Sequence, residues 1–475
     1  MTIELIGFIA LAFGLASLLL EPPFIVYVFL CSTLLGSAAA LILDSLGGTN
    51  ISPAHLLLGF LAFKLIGSGN YSRNSIAGLG FGRPGFWLLL TVVYSIVSAY
   101  LMPRLFQGQT LVYPVRTVTG SDNTAASFAL IPAMANFTQS IYFVGDLICF
   151  VVLYGYAGTH SGRRTLGNAA LVCTVLNLGF ALLDLLTYFT NTTELLSFIR
   201  NANYSLISDD SIAGFKRIVG SFIEASSFGS ATLGYFAFNG KLWLLGVRPF
   251  LTAPLAVFSL IALIFSTSTT AYVGLAVLVA YLYIEIVVSA FFRPLRSQAF
   301  IFLIGAPIIV MLGVIAIELN DNSAAYVSNL LDTLVLNKMS TSSGIERSLW
   351  NYQGIQNFFD TFGFGVGNGS MRASSFVIGV LASLGAFGAL IFSLFFAGLL
   401  FSNKTGGESD PLNSAYRQAA KSTCIAWLIT ASTSGGLIDL GLPFFAFAAL
   451  TCSQLSVVEQ RKDLPVPVLA TSVAA

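Results

Sequence analysis

Uninterrupted apolar runs of roughly 18–25 residues recur along this chain, and a run of that length lets a helix cross a hydrocarbon core about 30 Å thick. Phe300–Ile317 and Phe376–Phe401 are two of them. Of the 475 residues, 56% are hydrophobic and only 9% are charged. No stretch between the runs is long enough for an ordinary soluble domain of about 100–200 residues. The runs are continuous rather than alternating, which excludes a β-barrel. The expected fold class is therefore all-α: a polytopic membrane protein of about 12–13 transmembrane helices, with residues 1–475 forming one integral membrane domain.

The expected spans are 4–20, 22–43, 52–67, 86–103, 137–158, 166–189, 228–246, 249–266, 270–291, 299–318, 375–401, 418–435 and 439–457. The five cysteines (Cys31, Cys149, Cys173, Cys424 and Cys452) all fall inside these spans. They read as small apolar core residues, so neither a disulfide nor a cysteine metal cluster is expected. The N-terminus lacks a charged leader and a small-residue cleavage site, so Leu5–Leu20 reads as a retained first span.

Basic residues set the expected orientation. Loops 68–85, 159–165, 292–298 and 402–417 and the tail 458–475 carry Arg73, Arg83, Arg163, Arg164, Arg293, Arg296, Lys404, Arg417, Arg461 and Lys462. These segments are expected in the cytoplasm. That places 104–136, 190–227 and 319–374 outside, with 319–374 the large outer loop and 190–227 the second. The outer segments still hold Arg104, Arg116, Arg200, Lys216, Arg217, Lys338, Arg347 and Arg372. Two readings account for cations kept against the positive-inside bias. They pair with acidic neighbours (Asp122, Asp209, Asp210, Glu224, Glu346 and Asp360), or as a set they hold a phosphate-bearing ligand at the outer interface.

The polar stretch from Lys338 to Arg372 interrupts two long apolar runs. Ser342-Ser343-Gly344 ahead of Glu346-Arg347 predicts a turn feeding a short amphipathic helix. Trp350, Ile355, Phe358 and Phe359 give that helix an apolar side that suits a membrane surface. Gly363, Gly365, Gly367 and Gly369 then alternate. Such a run either offers backbone N–H groups to an anion or makes a tight loop re-entering the membrane. It matches no nucleotide-binding pattern.

In Phe215–Gly229, Lys216 and Arg217 precede Glu224 by about two helical turns, if the segment is helical. The cations would then face a leaving group and Glu224 would take a proton, with an ion pair to Arg217 as its plainer role. Ser266-Thr267-Ser268-Thr269-Thr270 leads into a span, where hydroxyls cap the helix start or touch a sugar. Lys64, Asp146, Asp184, Glu285 and Asp439 lie within or at the ends of spans, and Asp146 and Asp184 are the stronger interior candidates. His55 and His160, the only histidines, lack metal-ligand spacing, so no metal is expected.

Read in order, RIVGSFIEASSFG (217–229), STSTTAYVG (266–274) and SSGIERSLWNYQGIQNFFDTFGFGVGNGS (342–370) resemble the bacterial O-antigen polymerase and ligase superfamily, closest to Wzy-type exopolysaccharide polymerases. The motif match covers about residues 215–400. The resemblance implies a metal-independent, cofactor-free glycosyltransferase with a GT-C-like helical core in a bacterial inner membrane, its active site facing the periplasm. The implied substrate is an undecaprenyl-pyrophosphate-linked oligosaccharide. The implied partners are the lipid bilayer and a chain-length regulator and flippase of the same pathway, with no nucleic acid. Arg217, Arg347 and Arg372 match the arginines that would hold the pyrophosphate, with Lys216 and Lys338 beside them. Ligases of the superfamily carry a histidine where this chain reads Met371-Arg372-Ala373-Ser374-Ser375, which disfavours the ligase reading. The STSTT segment has threonine where many relatives have Ser-Arg. Proton abstraction then falls to Glu224 ahead of Glu346, or positioning alone suffices. The competing class is a transporter of a lipid-linked saccharide, which calls for charged midplane sites and repeated halves.

Overall fold

The computed structural model describes residues 2–43, 49–115, 126–202, 211–212, 215–292, 294–319, 341–402, 410–456 and 459. The described chain is predominantly helical. The first half runs α1 (Leu5–Leu19), α2 (Pro22–Ser32), α3 (Pro53–Ile66), α4 (Gly69–Gly78), α5 (Pro84–Leu105), α6 (Met134–Tyr156) and α7 (His160–Phe189). Then follow α8 (Ala225–Leu244), α9 (Pro249–Phe265), α10 (Thr269–Ala290), α11 (Ser297–Glu318), α12 (Ser342–Asp360), α13 (Phe376–Phe401), α14 (Pro411–Ser434) and α15 (Leu442–Cys452).

Local chemistry marks many of the helix starts. Proline occupies the first turn of α2, α3, α5, α9, α14 and α15. There its fixed φ suits a helix and its missing N–H is no loss. Ser52, Thr159, Ser268, Thr341 and Asp410 accept orphan backbone N–H groups of α3, α7, α10, α12 and α14. For 266–270 the capping role is therefore present, through Ser268.

Each expected span falls on a helix, but among the described residues only α5, α6, α7, α10, α11 and α13 are long and apolar enough to cross a membrane. The others are shorter or more polar. Helix α3 has 14 residues, a rise of about 21 Å, well under a hydrocarbon core of about 30 Å. The expected span 22–43 stops at Ser32, because the chain turns and Ser37 Oγ is bonded to the carbonyls of Ile199 and Ser221. The expected span 439–457 shrinks to the 11 residues of α15, set off by Gly441 at φ 83°. The expected basic loop 159–165 is instead mostly the first turns of α7. Its Arg163 is buried and donates to the carbonyls of Ala157 and Ser453, at the carboxyl ends of α6 and α15, where a cation is favoured.

Short antiparallel ladders sit among the loops. β1 (Thr2–Ile3), β2 (Leu41–Leu43) and β3 (Thr49–Ile51) place Ile42 opposite Thr2 and Asn50. β4 (Leu111–Val112) pairs with β5 (Phe128–Ala129), and β6 (Ser211–Ile212) with β7 (Phe215–Lys216). The core is aromatic where α6, α13 and α15 meet: the Phe143 ring lies 5.7 Å from Phe392 and 6.3 Å from Phe445, and Phe150 lies 5.6 Å from Phe395. Helix α11 is peripheral, with only 6% of its apolar window buried.

Described parts of the expected outer segments meet one another or neighbouring loops at one end of the bundle. Gln353 reaches the Leu111 carbonyl, Thr110 bonds Asp360, and Asn201 bonds Ala39. At the opposite end Arg164 meets Asp410 at 2.7 Å and Asn413 meets His160 at 2.8 Å.

Candidate functional site at the loop end of the bundle

Phe215–Gly229 is not one helix. Phe215–Lys216 is strand β7, residues 217–219 have no regular structure, 220–221 turn, and α8 begins at Ala225 with Glu224 at its N-cap. Lys216, Arg217 and Glu224 therefore do not share a helix face. Asp184 of α7 anchors the loop instead. It is 1% exposed. Its Oδ2 accepts the amides of Val219 (2.8 Å) and Gly220 (3.1 Å). Its Oδ1 accepts Arg200 Nη2 at 2.7 Å and lies 3.6 Å from Lys216 Nζ. A carboxylate is needed because two buried cations and two amides converge on one point.

Lys216 is thus paired with Asp184 and lies 5.4 Å over the Tyr188 ring. Its acidic partner is therefore an interior aspartate of α7 rather than one of the outer acidic neighbours. Arg217 points elsewhere. Its Nε donates to Thr267 Oγ1 at 3.2 Å and its Nη2 to the Thr267 carbonyl at 3.4 Å. Thr267 is held at φ 45°, a strained conformation for a β-branched residue. The first two sequence segments therefore meet at Arg217 and Thr267.

Beside this loop, α8, α14 and the 435–443 turn line a half-open cavity of about 290 Å³. Glu224, Ser226, Ser230, Trp427, Thr430 and Asp439 are on its wall. Glu224 Oε1 accepts the Ser226 hydroxyl, Ser230 and Thr430 share a hydrogen bond of 2.6 Å, and Trp427 Nε1 donates to the Ser230 carbonyl. The volume lies at the lower edge of ligand pockets, about 300–1,000 Å³. It suits a sugar or two rather than a whole lipid-linked substrate.

The chain just after the third segment reaches the rim of the same cavity. The Ala373 amide donates to the Gly436 carbonyl at 3.1 Å, between Gly435 and Leu437 of the cavity wall. The Arg372 guanidinium lies 4.6 Å over the Trp350 ring. Burial pushes that guanidinium below its ordinary value, and the Glu346 carboxylate pulls it back up. Glu346 and Arg347 sit together near the start of α12, both half-buried. The expected amphipathic helix is present as α12, and Ile345, Leu349, Tyr352, Ile355 and Phe359 form an exposed apolar stripe along it.

The glycine run is a tightly packed loop. Gly365 donates its amide to Thr361 Oγ1 and Gly367 to the Ser383 carbonyl, so these two amides are already spent within the fold. Gly365, Gly367 and Gly369 lie at φ 82°, 91° and 80°. A Cβ on them would come within 2.7 Å of Gly385 N, 2.6 Å of Ser98 O and 2.4 Å of Ala135 O respectively. Lys338, Arg116, Asp122, Asp209 and Asp210 lie outside the described residues.

Sequence reasoning did not single out Ser226, Ser230, Trp427 and Thr430 as cavity residues. A signal existed: Thr423, Trp427, Thr430 and Ser434 recur at helical spacing and make one polar stripe in an expected span. No protein family, no curated protein and no solved structure matches the chain.

Proposed function

We propose that the chain is a membrane glycosyltransferase that polymerises a polysaccharide. It would move a growing saccharide chain from polyprenyl pyrophosphate onto an incoming lipid-linked repeat unit, on a GT-C-like core at the periplasmic face of a bacterial inner membrane. The observation that carries the reading is the polar cavity with Glu224 on its wall and Arg217 on the same anchored loop. Arg372 precedes Ala373, whose amide donates to the Gly436 carbonyl beside the cavity wall.

In this reading a hydroxyl oxygen of the acceptor sugar attacks the anomeric carbon of the donor. The bond from that carbon to the pyrophosphate oxygen breaks, the electron pair leaves with the phosphate, and the hydroxyl proton passes to Glu224. Guanidiniums of Arg217, Arg347 and Arg372 offset the charge growing on the leaving group, a contribution of several kcal/mol where water is scarce. A positioned base adds about 10²–10⁴-fold.

Purified protein in lipid, given a lipid-linked repeat unit, should yield a ladder of products. Arg217→Ala should collapse the ladder while membrane insertion stays normal, and Glu224→Gln should lower yield more than Glu346→Gln. A wild-type ladder from Arg217→Ala at normal protein level would remove this loop from the site. The reverse ranking of the glutamates would move the base to α12. A second reading, a transporter of the same lipid-linked saccharide, draws on one observation: Asp146, midway along α6, is buried with no hydrogen-bond partner among the described residues. Movement of substrate without new glycosidic bonds would favour it.

A further inference from the structure

The cavity between α8 and α14 has a wall of one sign. Glu224 and Asp439 both line it, and no lysine, arginine or histidine among the described residues does. Neither carboxyl forms an ion pair with a described residue. Asp439 Oδ1 accepts the Gly441 amide at 2.6 Å, and Glu224 Oε1 accepts the Ser226 hydroxyl. The cations of the neighbouring segments are engaged elsewhere: Lys216 and Arg200 meet Asp184, Arg217 holds Thr267, and Arg372 lies over Trp350. His55 of α3 senses the Asp439 charge but is not on the wall, and its Nδ1 is bonded to Ser52 at 2.8 Å.

The hydroxyls on the wall add acceptors rather than donors. A hydroxyl has one hydrogen to give and two lone pairs with which to receive. Thr33 gives its hydrogen to the Leu30 carbonyl at 2.6 Å, and Ser434 to the Thr430 carbonyl at 3.3 Å. Thr430 gives its own to the Trp427 carbonyl at 3.1 Å, so Ser230 is the donor in the Ser230–Thr430 bond. Ser226 donates to Glu224, and the Trp427 indole N–H goes to the Ser230 carbonyl. Even the Gly435 amide returns to the Ala431 carbonyl. Ser227 and Tyr235 are the lining hydroxyls outside this set. What faces the space is therefore mostly lone pairs, together with two carboxylates.

We propose that the cavity is a subsite for a sugar read by its own donors, amino or hydroxyl, and closed to sugars that carry a carboxylate or phosphate. A protonated amine suits it best, because an ammonium brings three N–H donors and the positive charge that the wall lacks. A neutral sugar meets the acceptors with hydroxyl hydrogens alone. An acidic sugar gives up water, finds few donors and faces like charge at both carboxylates. That the ligand is a sugar of the repeat unit rests on the glycosyl-transfer reading; the preference itself rests on the wall. Within that reading, the acceptor sugar turns a hydroxyl hydrogen toward Glu224, and the same negative wall keeps the pyrophosphate outside the cavity.

Methyl glucoside, methyl glucosaminide and methyl glucuronide share one shape and test this. Each is titrated into the detergent-purified full chain at low salt and slightly acidic pH, where the amine is protonated. The glucosaminide should bind about tenfold more tightly than the glucoside, the worth of one charged hydrogen bond. The glucuronide should bind about tenfold less tightly than the glucoside or escape detection. Asp439→Asn should remove most of the amine's advantage and narrow the glucuronide's deficit. Glu224→Gln serves the same purpose if Asp439→Asn misfolds, since binding rather than turnover is read. A glucosaminide that fails to bind or has no advantage, a glucuronide that binds as well as the glucoside, or a spread that the folded variant leaves unchanged overturns the subsite. The product ladder from a lipid-linked repeat unit separates the two claims. The expected order of binding in a protein that forms no glycosidic bond keeps the subsite and overturns the glycosyl-transfer reading; a ladder with the reverse order of binding does the opposite.

Discussion

At the scale of single residues, Asp184 matters more than its position in a long apolar helix suggests. One carboxylate answers Arg200, Lys216 and two backbone amides, and so sets the path of the loop that carries Arg217 and Glu224. Asp184→Asn keeps the shape but leaves two buried cations without a counter-charge. Breaking a buried pair from one side costs about 3–5 kcal/mol. Thermal unfolding of the detergent-purified protein should show a loss of that order; a change below about 1 kcal/mol would mean that backbone contacts alone hold the loop. Asp184 was recognisable from sequence as a rare interior charge. Its partners were not, because Lys216 lies thirty-two positions along the chain and nothing local links the two. Lys64 and Lys241 teach the same point. The first reaches the Leu18 carbonyl at the end of α1, and the second pairs with Glu285 at 2.6 Å, so charges in or near spans here serve packing as well as chemistry.

At the scale of elements, the glycine run shows how one pattern supports two meanings. Alternating glycines permit positive φ whether the freed amides meet an anion or the fold itself, and only the packing of α5, α6 and α13 around the loop separates the cases. Gly367→Ala should lower the unfolding temperature, since its Cβ would meet Ser98 O at 2.6 Å with φ at 91°. The strain alone costs more than about 1 kcal/mol. Gly59→Ala in α3, where a Cβ meets nothing within 4 Å, should be neutral or stabilising by about 0.5–1 kcal/mol. Equal unfolding temperatures for the two variants would show that the loop yields to the extra methyl. Helix α12, by contrast, was legible in the chain. Its signals act within a few residues of each other, although the expected turn Ser342–Gly344 is the first turn of the helix, capped by Thr341, and of the expected apolar side Ile355 and Phe359 are exposed while Trp350 and Phe358 are half-buried.

At the scale of the whole molecule, the two ends of the bundle differ in what holds them. The end opposite the cavity is tied by Arg164 to Asp410, whose carboxyl caps α14. Burial pushes the Asp410 carboxyl up, but the Arg164 hydrogen bond and the Leu412 amide outweigh it and hold it below the usual 3.8. A carboxyl depressed on folding contributes stability above its unfolded value and loses it as pH falls through the folded value. Unfolding temperature should therefore decline below about pH 4. The decline should be shallower in Asp410→Asn; an unchanged acid profile would show that other carboxyls govern it.

Length, hydropathy and capping residues operate over one helix at a time. The helical class, the positions of the apolar helices and the order of the polar segments could accordingly be read directly from the chain. Against thirteen expected spans, however, only six of the described helices are long and apolar enough to cross a membrane. Helix ends were misjudged where distant contacts cut a run short, as Ile199 and Ser221 do at Ser37. The cavity belongs to no single segment. It exists because α8 and α14 pack together while Asp184 fixes the loop ahead of α8. That Glu224 and Asp439 both line it depends on side chains that approach across hundreds of residues of sequence. No local pattern encodes such an approach, so folding alone decides it.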